Sequence, residues 1–321
     1  MNRNRKTAFS LIELSIVLVL TAIIIAGVLS ASTVSINNAK TKITNDRIKA
    51  IYRALGNFVL SNYRLPCPAA LDVARESVGY GNSSGSAGVC DGAGVYQSST
   101  QSSVIYGMVP ATALGLPKDL AEDGFGNKMI YIVNKNFTAA DYPSTTLSNY
   151  FSSFLESDAS TINVLQVPSG NVLDGNAFVI MSLGQNKYGA FNAVSTAQNS
   201  IASSDIYEQQ NYVSNVNTGT SPYSADFGTI SGHGARTVIT SSNPSSDVFD
   251  DIVFFRTRSQ MVTDFNAMFL IPCAAVAGYG VGYYGQTVYR SSACTRPNTV
   301  TPSKKCVAYG VWADQQTCFV S

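Results

Sequence analysis

The sequence predicts an α+β protein. One long N-terminal helix, membrane-spanning in its first half, packs by its second half on an antiparallel sheet, and a Cys-rich appendage closes the chain. Three observations predict this. Proline is absent before Pro66, and the residues up to there change from uniformly apolar to amphipathic. Short β-rich runs separated by Gly/Asn/Asp turns follow, and a helix followed by strands is the α+β pattern. Four of the six cysteines crowd into residues 271–321.

The helix comes first. A leader, residues 1–8, carries Arg3, Arg5 and Lys6 and no acid. From Leu14 to Ala39 there is no charged residue, and Leu14–Leu29 is the densest apolar stretch. At about 1.5 Å per residue, roughly 20 helical residues cross the hydrocarbon core, so Phe9–Leu29 is long enough. The span is placed at residues 9–30. The basic leader stays cytoplasmic and the remainder is exported. Beyond the span come Ile43, Ile48, Ile51, Tyr52, Leu55, Phe58, Val59 and Asn62, and from Ile48 onward their spacings of three and four make one helical face. Lys42, Asp46, Arg47, Lys49 and Arg53 occupy the other face. Pro66 and Pro68 stop the helix. Phe9–Tyr63 then forms one helix of about 80 Å.

A head, residues 65–270, follows this helical region of residues 9–64. Residues 69–103 are Gly/Ser-rich and read as a long loop. Val104–Val109 and Lys128–Val133 read as strands, with the turn Asp123-Gly124-Phe125-Gly126-Asn127 before the second. Asn149–Glu156 reads as a short helix. Ala177–Leu183 reads as a buried strand, Thr237–Thr240 as a short one and Asp251–Thr257 as a clear one.

Charge and cysteines bound the compartment. Only 13% of residues are charged, and the leader holds three of the 21 bases and none of the 20 acids. Cleaved after residue 8, the chain is slightly acidic, which argues against broad nucleic-acid binding by the whole chain. Cys67, Cys90, Cys273, Cys294, Cys306 and Cys318 all lie beyond the span. An even number in an exported segment suggests disulfides. Loop proximity favours Cys67–Cys90 and Cys306–Cys318, while sequence cannot choose among the possible pairings. No Cys-x-x-Cys spacing occurs, and His233 is the single histidine, so a cysteine–histidine metal centre fits poorly.

Glu13 carries the most information. A carboxylate inside an apolar span is expensive and marks function. Three readings compete: a secretory signal peptide cut near Leu29-Ser30-Ala31, a plain uncleaved anchor, and a segment cut between Ala8 and Phe9. The third alone gives Glu13 a task, because Phe9 becomes a new N-terminus one helical turn away. In a bundle of such helices, Glu13 neutralises the Phe9 amine of a neighbour. A buried ion pair of this kind specifies register more than stability.

Ala8-Phe9-Ser10-Leu11-Ile12-Glu13 closely resembles the processing motif of type IV prepilins and type II secretion pseudopilins. Ala8 stands where glycine is commoner; both are small. The resemblance implies cleavage at Ala8/Phe9 and N-methylation of Phe9 by a prepilin peptidase. It also implies assembly with other pilin or pseudopilin subunits on an inner-membrane platform. Leu65-Pro66-Cys67-Pro68-Ala69, Tyr106-Gly107-Met108-Val109-Pro110, Asp123-Gly124-Phe125-Gly126-Asn127, Ser182-Leu183-Gly184 and Phe249-Asp250-Asp251-Ile252-Val253 look like islands of the same set of proteins.

Other constellations are weaker. Gly81-Asn82-Ser83-Ser84-Gly85 fits the serine-hydrolase elbow, but it sits in a Gly/Ser-rich loop and would need His233 as base. No phosphate-cradling loop or dinucleotide fingerprint occurs. No catalytic residue is expected, and the chain is not read as an enzyme. Asp247, Asp250 and Asp251 cluster beside a strand. They can hold calcium, as the pseudopilin resemblance implies, or simply cap a turn. Asp205 and Glu208 could complete such a site, although nothing in the sequence brings them near.

The expected function is structural. The chain is a minor pilin or pseudopilin, single-pass in the inner membrane with its head periplasmic, or carried out on a pilus, and it contacts membrane lipid through residues 9–30. The alternative is a pilus-tip adhesin or DNA-uptake subunit. In that case the Tyr- and Trp-bearing residues 271–321 would meet a surface ligand or DNA.

Overall fold

The computed structural model describes residues 11–62, 64–97, 103–139, 162–167, 169–200, 206–212, 223–224, 237–241, 249–269, 287–289, 303–307 and 311–316. The helix α1 runs unbroken over Leu11–Asn62. Where its side chains are described, its first half is mostly exposed. Its second half buries Ile48, Ile51, Tyr52, Leu55 and Val59, as the spacing requires.

These side chains enter one core with a mainly antiparallel sheet. Its strands are β1 (Tyr96–Gln97), β2 (Val104–Met108), β3 (Ile130–Asn134), β4 (Ile162–Val167), β5 (Asn171–Ser182), β6 (Tyr223–Ser224), β7 (Thr237–Ser241) and β8 (Ile252–Thr257). The order is β6-β1-β2-β3-β5-β4-β7, with β8 also pairing β5. The outermost pairings, β1 with β6 and β4 with β7, are parallel, a departure from the antiparallel sheet expected from sequence.

Two partners share one side of the central strand β5. Its first half pairs β4 and its second half pairs β8. Gly175 sits at the changeover with φ +74°, a conformation that L side chains rarely adopt. Asn176 beside it donates through Nδ2 to the carbonyls of Ile162 (2.9 Å) and Leu173 (2.7 Å), fixing the irregularity.

Residues of β2 and β3 are buried throughout, so both faces of these strands are covered. The segment after α1 contributes Leu65, Ala69, Leu71 and Tyr80 to the same core. Ala69 exchanges two backbone hydrogen bonds with Met108 at the end of β2. Cys67 and Cys90 are joined as a disulfide, packed with Val95 and Ile105 in a small buried cluster.

The strands expected near 104, 128, 177, 237 and 251 are present with shifted ends. The periodicity reading did not include β4, the helix α2 (Ile206–Asn211) or the helix α3 (Arg258–Phe269). Within the C-terminal region, β9 (Thr287–Tyr289), β10 (Ser303–Val307) and β11 (Val311–Gln316) form a three-stranded antiparallel sheet. Cys306 lies on β10 opposite Trp312. Cys273, Cys294 and Cys318 lie outside the described residues, and so do the helix expected at Asn149–Glu156 and most of the 271–321 contact surface.

Candidate functional site

The first half of α1 is the most unusual surface. Leu11, Ile12, Leu14, Ile16, Val17, Leu18, Val19, Leu20, Ile23, Ile24 and Ile25 are all exposed, Leu11 to 86%. Water-soluble monomers rarely present so large a continuous apolar surface. Two of its hydroxyls bond within the helix. Ser15 donates its hydroxyl to the carbonyl of Ile12 (2.8 Å), and Thr21 donates to that of Leu18 (3.0 Å). Such bonds satisfy hydroxyl groups where water is scarce. Glu13 lies on this exposed stretch, in the first turn of the described helix. Ala8 and Phe9 lie outside the described residues. Side chains in this half are described from Leu11 to Ile25 and again from Thr33. Among the described residues no helix is long and apolar enough to cross a membrane.

The second half of α1 is held by polar grips as well as by the core. Tyr52 donates its hydroxyl to Asp264 Oδ2 on α3 (2.8 Å), and Arg256 Nε donates to the same oxygen (2.9 Å). The Arg256 guanidinium also stacks over the rings of Phe254 and Tyr52. Burial, reinforced by the hydrogen bond to Asp264, pushes the Tyr52 phenol well above its ordinary range. Nearer the exposed half, Arg47 donates to the carbonyls of Glu122 (2.9 Å) and Asp123 (3.2 Å). Behind that contact, Glu122 accepts from Tyr80 (3.0 Å) and pairs with Arg75 (3.2 Å). Desolvation raises the Glu122 pKa, with Tyr80 and Arg75 opposing it.

The structure brings together part of the acidic group expected from sequence. Asp250 and Asp251 meet Glu208 of α2, with one carboxylate oxygen of each within 4.8 Å of the others. Asp247 lies outside the described residues. Asp250 Oδ2 accepts the backbone N–H of Gln185 (2.5 Å) and of Asn186 (2.8 Å), while its buried Oδ1 has no hydrogen-bond partner among the described residues. Asp251 Oδ2 accepts from Asn211 (2.7 Å). Burial raises the Asp250 pKa, the Asn186 and Gln185 bonds oppose that, and the charge of Asp123 adds to it. Converging hard oxygen donors suit calcium. Glu208, 42 residues from Asp250, is one of the two further donors offered from sequence, and the fold supplies the approach that sequence could not.

Ser83 takes part only in an isolated bridge with Ala69 and so lacks the strand-turn-helix that exposes a hydrolase nucleophile. His233 lies outside the described residues.

The molecule thus presents an exposed apolar helix that carries an acid near its start and is fixed at its far end to a sheet-based head. The family comparison agrees: residues 3–29 match the prokaryotic N-terminal methylation motif, the signature of type IV prepilins and pseudopilins. The match takes in Ala8, Phe9 and Glu13. No curated protein and no solved structure matches the chain.

Proposed function

We propose that this protein is a minor pilin or pseudopilin, a non-enzymatic subunit of a type IV pilus or type II secretion-like fibre. The methylation motif and the continuous apolar exposure of Leu11–Ile25 support the reading together. A prepilin peptidase cuts between Ala8 and Phe9 and methylates the Phe9 amine. Before assembly, residues 9–30 hold the chain in the inner membrane with the head on the periplasmic side. During assembly on the inner-membrane platform, these helices leave lipid for one another. Glu13 then meets the amine of a neighbouring Phe9, because an uncompensated charge in an apolar bundle is costly and sets register.

Mass analysis of the mature N-terminus tests this. The expected chain begins at Phe9 and carries one N-methyl group. Glu13→Ala should insert in the membrane yet fail to enter fibres. A mature chain beginning near Ser32 would overturn the proposal.

A finer reading concerns Glu208, Asp250 and Asp251. The buried Oδ1 of Asp250, without a partner among the described residues, favours calcium there. Bound to these carboxylates, the ion would neutralise charge between α2, β8 and the 184–186 turn and so hold them together.

A further inference from the structure

Three successive turns of α1 touch one loop, residues 119–127, at the boundary between the buried and exposed halves of the helix. Thr44, fully buried, uses its hydroxyl twice: it donates to the Lys40 carbonyl (2.9 Å) and accepts the Gly124 N–H (2.9 Å). Arg47 donates to the two carbonyls just before Gly124 and approaches Asp119 Oδ2 at 3.5 Å. The Lys40 ammonium lies over the Phe125 ring, 5.8 Å from its centre. At Gly124 itself the backbones are in contact. A Cβ there would overlap the Lys40 carbonyl oxygen and stand 2.8 Å from its carbon. The obstacle is helix backbone, so no rotamer change relieves it.

The loop is itself firmly held. Asp123 Oδ1 accepts the N–H groups of Phe125 (2.8 Å) and Asn127 (2.9 Å), and its Oδ2 accepts the hydroxyl of Ser182 at the end of β5 (2.7 Å). The contact therefore connects the centre of the sheet to the last supported turn of α1. N-terminal to Lys40 the described side chains from Thr33 are mostly exposed, including Val34 and Ile36. A small rotation at this support is magnified along the helix, which rises about 1.5 Å per residue.

We infer that the 119–127 loop is the bearing that sets the direction in which α1 leaves the head, with Gly124 and Thr44 as its positioning residues. The geometry stands on the contacts above. Its consequence, the angle at which a head is presented along a fibre, rests on the assembly reading.

The test is a distance measurement on the full-length chain in lipid nanodiscs. Spin labels are introduced as non-natural amino acids, leaving the cysteines intact. One pair, at Ser35 and Val78, reports the stalk against the head; a second, at Val78 and Val172, reports the head alone. Gly124→Ala should displace the stalk–head distribution by more than its wild-type width and leave the head pair unchanged. Thr44→Val, which removes both hydroxyl bonds without adding bulk, should displace or broaden it. Thr44→Ser should restore the wild-type trace. An unchanged stalk–head distribution in Gly124→Ala with an intact head pair overturns the inference. Should Gly124→Ala disturb the head pair, Thr44→Val and Thr44→Ser decide by the same criterion. Failure of the wild type to form fibres while its stalk–head distribution responds to these variants would count against the assembly reading alone.

Discussion

The division of labour along α1 can be tested by making the same truncation at two places. Leu55 is 0% exposed and Leu18 is 60% exposed. Leucine to alanine removes three carbons, worth about 2.4 kcal/mol at about 0.8 kcal/mol each. Incomplete closure of the space left behind raises the cost at Leu55 toward about 3–4 kcal/mol. With a urea dependence of about 2–3 kcal/mol per molar for a head this size, Leu55→Ala should lower the unfolding midpoint by about 1–2 M. Leu18→Ala removes the same atoms from a side chain that touches little of the head, so its midpoint should stay within about 0.3 M of wild type, the range expected of surface changes. Its effect should appear in fibre yield. The assay is near-ultraviolet circular dichroism of the tyrosines in detergent, with carbonate extraction confirming that both variants remain in the membrane. Equal midpoint shifts in the two variants, or none at Leu55, would refute the partition.

Several other outcomes are expected. Cys67→Ser with Cys90→Ser should cost about 2–4 kcal/mol by urea titration, in line with other native disulfides. Reductant alone should leave the Cys67–Cys90 bond of the folded wild type intact by peptide mapping, because both cysteines are buried. The Asp250 carboxyl titrates above its ordinary value in the folded chain. Its stabilising contribution is therefore full below the unfolded pKa and is lost as pH rises through the folded value. Asp250→Asn should flatten that part of the stability profile, and in the calcium reading it should also abolish a calcium-induced rise in Tm at pH 7 that chelator reverses. Lys128 runs the other way. It donates to the carbonyls of Leu71 (2.7 Å) and Ser195 (2.9 Å), and burial lowers its pKa to about 8. Its contribution is full above the unfolded value and is lost as pH falls through about 8. Lys128→Met should therefore remove a gain in Tm between about pH 7 and pH 10.

The helix was legible because its signals are local. Spacings of three and four placed Ile48, Ile51, Tyr52, Leu55 and Val59 inward, and the structure buries each. Before Ile48 the spacing gives no such guide: Ile43 is exposed and Thr44 is buried. Periodicity weighs apolarity and cannot anticipate that the hydroxyl of Thr44 answers the N–H of Gly124 eighty residues away. Arg47 was assigned to the outer polar face for the same reason, whereas it reaches over to carbonyls of the loop. Asp123–Asn127 was recognisable as a turn, but its place against the helix was not. In the acidic group, Asp250 and Asp251 could be found because they are neighbours in sequence. Glu208 arrives on a separate short helix, and one sequence holds no trace of that approach.

The walled-in position of Cys67 and Cys90 bears on the order in which the head comes together. Ile105 of β2 and Val95 beside β1 close over the sulfurs, so a thiol oxidase can reach them only while those strands are still apart. Cross-linking therefore precedes closure of the wall. A head that shut early would trap two reduced thiols beyond the reach of the enzymes that repair such errors. Oxidation first and compaction second is the order that this enclosure favours.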